Sequence, residues 1–158
     1  MKKYGWIAIV VAALDQIIKG YVRNMPLGRT FLEIENLVSL THCTNTGAAF
    51  SILSGKTMFL SVLSLLLLGV IYVYAVSKMH LTPPARIALA CILGGGIGNL
   101  LDRLFFGGVT DYIRLLIIDF PVFNLADIAI TGAVGGLMIL LFTDTLEESS
   151  EENHGSDD

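Results

Sequence analysis

Residues 57–77 read TMFLSVLSLLLLGVIYVYAVS, a run without a single charged side chain. A helix needs roughly 17 to 25 mostly apolar residues to cross a bilayer, and this run has that length. Three more stretches qualify on either side of it, at about 4–22, 85–101 and 122–143. The expected fold is membrane all-α: four transmembrane helices forming a single integral membrane domain over 1–143. A small extracytoplasmic β-rich segment, about 23–56, is expected between the first two helices.

Composition agrees. Of 158 residues, 54% are apolar and only 15% charged, with a mean hydropathy of +0.71, whereas soluble domains carry about 25% charged residues. The net charge of −4 comes from one end of the chain. Half of the fourteen acids lie between Asp144 and Asp158, a stretch without Lys or Arg. The rest of the chain holds ten bases against seven acids and is mildly basic. The polar tail, 144–158, has little to bury and is expected to be disordered and cytoplasmic.

Lys2 and Lys3 ahead of an apolar stretch resemble the start of a secretory signal. Asp15 and Lys19 follow with no convincing cleavage site, and three more spans come after, so the segment reads as a retained first helix. Four spans place both termini on one side. Basic residues at the N-terminus and in the 78–86 loop number four against five on the other side, which alone decides little. The two lysines on the first helix and the short loop favour cytoplasmic ends.

In the 23–56 connection, Leu32, Ile34, Val38 and Leu40 alternate with Glu33, Glu35, Ser39 and Thr41. This fits a short strand or hairpin with one wet face. Thr-Asn-Thr-Gly-Ala-Ala-Phe-Ser (44–51) follows, a small-residue run suited to close approach of backbone and ligand. Gly94-x-x-x-Gly98 and Gly132-x-x-x-Gly136 read as close-packing surfaces of the third and fourth helices.

The polar residues of the spans carry the chemistry. Asp15 and Lys19, four apart, share a helix face; they read first as a local ion pair, one that can also orient a site. Asn99, Asp102 and Arg103 arrive together where the third helix is expected to leave the bilayer. Arg103 either snorkels with Asp102 as its partner, or joins Asn99 in holding substrate backbone or a lipid headgroup. Asp111 follows a Gly-Gly turn, and Asp127 opens the fourth span with Asn124 three residues before it. Each has a plain structural reading, as a turn acid and as helix-start residues. Ionisable groups near hydrocarbon are nevertheless costly, by roughly 2.5 to 3.5 kcal/mol, and these gather at one membrane face. A pair of acids there points to general acid/base hydrolysis. No serine sits in a nucleophile elbow, and His42, His80 and His154 form no metal-ligand spacing. Cys43 and Cys91 read as packing residues without a bridge.

Five ordered motifs carry a resemblance. They are Asp15-Gln16 with Lys19; Asn45-Thr-Gly47-Ala-Ala-Phe50; Gly95-Gly-Ile-Gly98-Asn99-Leu-Leu-Asp102-Arg103; Val109-Thr-Asp111-Tyr-Ile; and Phe123-Asn124-Leu-Ala126-Asp127. Together they resemble the bacterial lipoprotein signal peptidases (signal peptidase II), a family of intramembrane aspartic peptidases. The resemblance implies a catalytic pair, Asp111 and Asp127. It implies supporting or substrate-binding roles for Asn45, Gly47, Asn99, Arg103 and Asn124, with Asp15 and Lys19 nearby. It further implies a diacylglyceryl-modified prolipoprotein substrate cut on the N-terminal side of its lipidated Cys, and a small sheet cradling that substrate. The implied setting is the bacterial inner membrane, with membrane lipids as partners, an active site near the extracytoplasmic face and a monomeric enzyme. Neither metal, cofactor nor nucleic acid is expected. The main rival is a small ion- or proton-coupled transporter, since intramembrane acids often mark ion paths. A carrier is expected to show repeat symmetry, and the chain shows no internal repeat.

Overall fold

In the computed structural model, helix α3 (Pro83–Phe106) packs against each of α1 (Gly5–Arg23), α2 (Thr57–Ser77) and α4 (Leu125–His154). The residues described are 3–48, 52–78 and 81–154, with side chains through 143. Lys2, Ala49, Phe50, His80 and 155–158 lie outside them. All four helices are long and apolar enough to cross a membrane, the fourth over Leu125–Thr143.

Local chemistry sets the helix ends. Thr82 accepts from the Ala85 N–H, Pro83 and Pro84 occupy the first turn, and Gly107 closes α3 at φ 74°. These are the favoured N-cap, N1 and C′ residues. The expected end of the third helix near 101 is therefore too early. Asp102 and Arg103 lie inside the last turns of α3. Helix α4 starts at Leu125 and continues to His154. The tail expected to be disordered is thus helical over 144–154; Leu and Glu are good helix formers, and a helix already nucleated extends at low cost.

Glycines of α3 set the helix spacing. A Cβ on Gly94 would lie 2.6 Å from the Ala8 carbonyl oxygen, one on Gly95 2.7 Å from the Ala126 carbonyl oxygen, and one on Gly98 would run into the Asp15 carboxylate. This bears out close packing for the 94–98 motif. A Cβ on Gly132 or Gly136 would meet nothing within 4 Å, so among the described residues the corresponding motif of α4 makes no close helix contact.

The sheet has three antiparallel strands in the order β1 (Thr30–Ile34), β2 (Val38–Asn45), β3 (Val109–Leu115). The expected hairpin is present, but Glu35 belongs to its turn: Glu35 and Asn36 take positive φ, 30° and 57°, and Leu37 N–H bonds Ile34 O. Leu32 pairs with Leu40 and Ile34 with Val38, which places them on one face as expected. The solvent reading of the faces is reversed in part. Ser39 and Thr41 are buried while Leu32 and Ile34 are each 50% exposed. Ser39 sits between Glu33 and Arg114 on neighbouring strands, and Thr41 bonds Thr30 at 2.8 Å. Strand β3 comes from the α3–α4 connection and continues the aliphatic face through Ile113 and Leu115, paired with Leu40 and Val38.

The largest fully buried side chains are Lys19, Val22, Asn124, Asp15 and Asp102. Leu65, Leu66, Val70 and Val73 of α2 point outward. Polar groups inside and aliphatic groups outside is the distribution expected where the surroundings are lipid.

Candidate active site

Asp127 is the third residue of α4 and Asn124 its N-cap. Asn124 Oδ1 accepts from the Asp127 N–H at 3.0 Å, and Asp127 Oδ2 accepts from the Asn124 N–H at 3.1 Å. This reciprocal box satisfies two donors at a helix start. The helix-start reading of these residues is therefore correct, and it also fixes the carboxylate in place. Asp127 Oδ1 accepts from Asn99 Nδ2 at 2.8 Å. Asn124 Nδ2 donates to Asp111 Oδ1 at 2.7 Å and to Asn99 Oδ1 at 3.2 Å. Both aspartates thus hold hydrogen bonds to the same asparagine.

Asp111 stands on β3 opposite Cys43 of β2 and is 3% exposed. Burial, and then the charge of Asp127, push its carboxyl up from 3.8 to about 7 against the opposing pull of Asn124, Asn45 and Lys19. Burial first, and then the Asp111 charge, raise the Cys43 thiol too, so it is no ready thiolate. Both cysteines are free. His42 bonds the Met25 carbonyl through Nδ1 at 2.8 Å and serves the chain's return into β2.

Behind the aspartates lies an ionic cluster. Lys19 Nζ donates to Asp15 Oδ2 at 2.9 Å and to Asn99 Oδ1 at 2.7 Å, and it forms an ion pair with Asp102 Oδ2 at 3.5 Å. Asp15 Oδ1 accepts from the Ala126 N–H at 3.1 Å, so α1 also caps α4. Asp102 does not pair with Arg103. It takes Arg23 at 2.9 Å, Gln16 at 3.0 Å and the Thr110 N–H at 2.8 Å. Gln16, Arg23, Asp102 and Thr110 were not among the expected site residues. A signal existed: Asp15, Lys19 and Arg23 recur every four residues along one helix face.

Asn45 Oδ1 accepts from the Gly47 N–H at 2.9 Å, an Asx turn that shapes the loop after β2. Arg103 Nη2 donates to the Gly47 carbonyl at 3.1 Å, tying α3 to that loop. Its Nε is buried with no acceptor among the described residues. A cavity of about 490 Å³ opens here. Asp111, Asp127, Asn99, Asn45 and Arg103 form its polar side, and Phe120, Val122, Phe123, Ile128 and Ile130 lie among its apolar walls. The expected site residues thus line this cavity, shape its loop or join the cluster behind it, and Asn124 bonds both aspartates from the start of α4. Two carboxyls facing one cavity with a raised acid between them are suited to moving protons to and from water.

Residues 7–143 match the family described as Signal peptidase (SPase) II. The chain is 39% identical over 149 residues to a lipoprotein signal peptidase of Streptococcus pyogenes serotype M1, covering 94% of this chain and 93% of that one. It is 38% identical over 146 residues to a lipoprotein signal peptidase of Brevibacillus brevis, covering 89% and 95%. A bacterial membrane enzyme solved by the in meso method at 2.3 Å superposes with a TM-score of 0.86 at 31% identity, over 92% of this chain and 90% of that one. A second, solved at 1.9 Å, gives 0.82 at 31% identity, over 91% and 95%.

Proposed function

Because the chain belongs to the signal peptidase II family and is a peptidase of that type, we propose that it removes the signal peptide from diacylglyceryl-modified prolipoproteins. The cut falls on the N-terminal side of the lipidated Cys, with Asp111 and Asp127 activating water. One observation carries this reading: both aspartates hydrogen-bond Asn124 and both line one cavity.

Two carboxyls on one cavity wall, each bonded to Asn124 and with the charge of one felt by the other, do not both ionise cheaply, so they share a proton and titrate as one coupled pair. The ionised member takes a proton from water as its oxygen attacks the scissile carbonyl carbon. The protonated member donates to the carbonyl oxygen. When the tetrahedral intermediate collapses, the C–N bond breaks and the leaving amine is protonated from the pair. Arg103 Nε, a buried donor without an acceptor among the described residues, is suited to a substrate backbone oxygen.

The cavity's apolar wall continues along α4 through Ile128 and Ile130. A substrate keeps its acyl chains in the bilayer while its peptide bond enters from the side. Both termini are cytoplasmic in this reading, the site lies near the extracytoplasmic face of the bacterial inner membrane, and the enzyme acts as a monomer among membrane lipids. The test is incubation of purified protein with a lipidated precursor, followed by mass spectrometry. A new N-terminus at the lipidated Cys is expected; an uncut precursor, or a cut elsewhere, overturns the proposal.

A further inference from the structure

We propose that Lys19 is a positioning residue: by fixing the direction of the Asn99 side-chain amide it makes Asp127 the ionised member of the pair and leaves Asp111 to carry the proton. This rests on the two-aspartate reading above and goes beyond it by assigning the two roles.

The argument is one of donors and acceptors. Lys19 is fully buried, and an ammonium has three hydrogens and no lone pair. It donates to Asp15 and to Asn99 Oδ1 and forms a longer ion pair with Asp102. Asn99 Oδ1 also accepts from Asn124 Nδ2. Turning the Asn99 amide over would set its NH2 against an ammonium and a second NH2. The oxygen is therefore held toward Lys19, and Nδ2 must face Asp127, which it meets at 2.8 Å. Asp127 Oδ2 accepts from a backbone N–H at a helix start. Both Asp127 oxygens thus receive fixed donors, an arrangement that favours the anion. Asp111 receives the Asn124 amide on Oδ1 and also has the Asn45 amide beside it, but its burial next to that anion outweighs both and favours its neutral form.

The charged and titratable groups around the pair come from every element packed there. Helix α1 supplies Asp15, Lys19 and Arg23; α3 supplies Asp102 and Arg103; β2 supplies Cys43, and β3 supplies Tyr112. Asp15, Asp102, Lys19 and Arg23 balance in charge, so Lys19 acts on Asp127 through a neutral amide within a neutral cluster.

The test is the pH dependence of cleavage of a lipidated precursor in detergent by three variants. Lys19→Met with Asp15→Asn removes the donor and keeps the cluster neutral. Lys19→Gln with Asp15→Asn restores an N–H donor in an equally neutral cluster. Asn99→Leu keeps the approximate volume and loses the donor to Asp127 without adding a charge, and it carries the test if the Met variant does not fold. For the Met variant and Asn99→Leu, kcat is expected to fall about tenfold or more with KM nearly unchanged. The acid limb of the rate profile should move up by about one pH unit, because the pair's anion loses a fixed donor. The Gln variant should recover part of the loss. Folded variants with the parent's acid limb overturn the proposal, whether their rate is unchanged or merely lower. Asp111→Asn and Asp127→Asn are assayed alongside: cleavage by either overturns the two-aspartate reading itself, whereas their inactivity beside unshifted Lys19 and Asn99 variants overturns this inference alone.

Discussion

Asn99 and Asn124 share a side-chain hydrogen bond of 3.2 Å, and each also donates to a different aspartate, Asn99 to Asp127 and Asn124 to Asp111. The two acids are thus joined through amides from α3 and from the start of α4. Neither amide titrates, so the link leaves both carboxyls free to exchange protons with water.

Asp111→Asn and Asp127→Asn should each reduce turnover by about 10²–10⁴-fold or more while the protein still accumulates in the membrane. Cleavage of a lipidated precursor, measured beside immunoblots of membrane fractions, checks this. Near-normal cleavage by either variant removes that residue from the chemistry.

The raised carboxyl of Asp111 predicts a pH slope in stability. The unfolded chain loses this proton near 3.8, the native protein near 7. Its contribution is complete below about 4, declines as pH rises through that window and is gone above about 7. The bound set by such a shift is about 4 kcal/mol, reduced by coupling to Asp127. Thermal unfolding in detergent should show Asp111→Asn level with the parent near pH 4 and more stable at pH 8. Parallel curves for the two proteins contradict the assignment.

Arg103→Ala should weaken cleavage by about 10- to 100-fold, through a displaced 45–48 loop. That is less complete than loss of an aspartate. Side-by-side assays fix the order, and a residual rate below those of the Asn variants reverses it.

An unlipidated precursor should be cut poorly. Each methylene held in an apolar phase is worth about 0.8 kcal/mol, so two acyl chains supply most of the retention at the site. Equal rates for lipidated and unlipidated precursors in detergent refute this.

Gly95→Ala should cost about 1–3 kcal/mol by forcing α3 and α4 apart, with Ala126 O only 2.7 Å from the new methyl. Gly132→Ala, in open space, should change stability by about 1 kcal/mol or less. Comparable losses in denaturant titrations of the two variants would show that the contact at Gly95 sets nothing.

Much of this was legible in the chain because spans and ionisable motifs are local signals. The second span was read at its observed bounds, 57–77. The third was read too short because Asp102 and Arg103 look like a helix leaving lipid; their partners, Arg23 for Asp102 and Gly47 for Arg103, lie 79 and 56 residues away. Strand β3 went unread for a related reason. Val109, Asp111, Ile113 and Leu115 keep a period of two, but the acid interrupts the apolar face and the pairing partner is β2, far back in the chain. Asn124 and Asp127 were read both as helix-start residues and as site residues, and the reciprocal cap at the cavity satisfies both readings.

The cross-helix pairing of charges also bears on how the protein is made. Asp15 and Lys19 neutralise each other within the first helix, but Arg23 finds its acid, Asp102, only in the third. A ribosome has synthesised the second hydrophobic segment and most of the third before that partner exists. The earliest segment therefore enters the bilayer with an unsettled positive end, and its final seat depends on a sequence synthesised long after it.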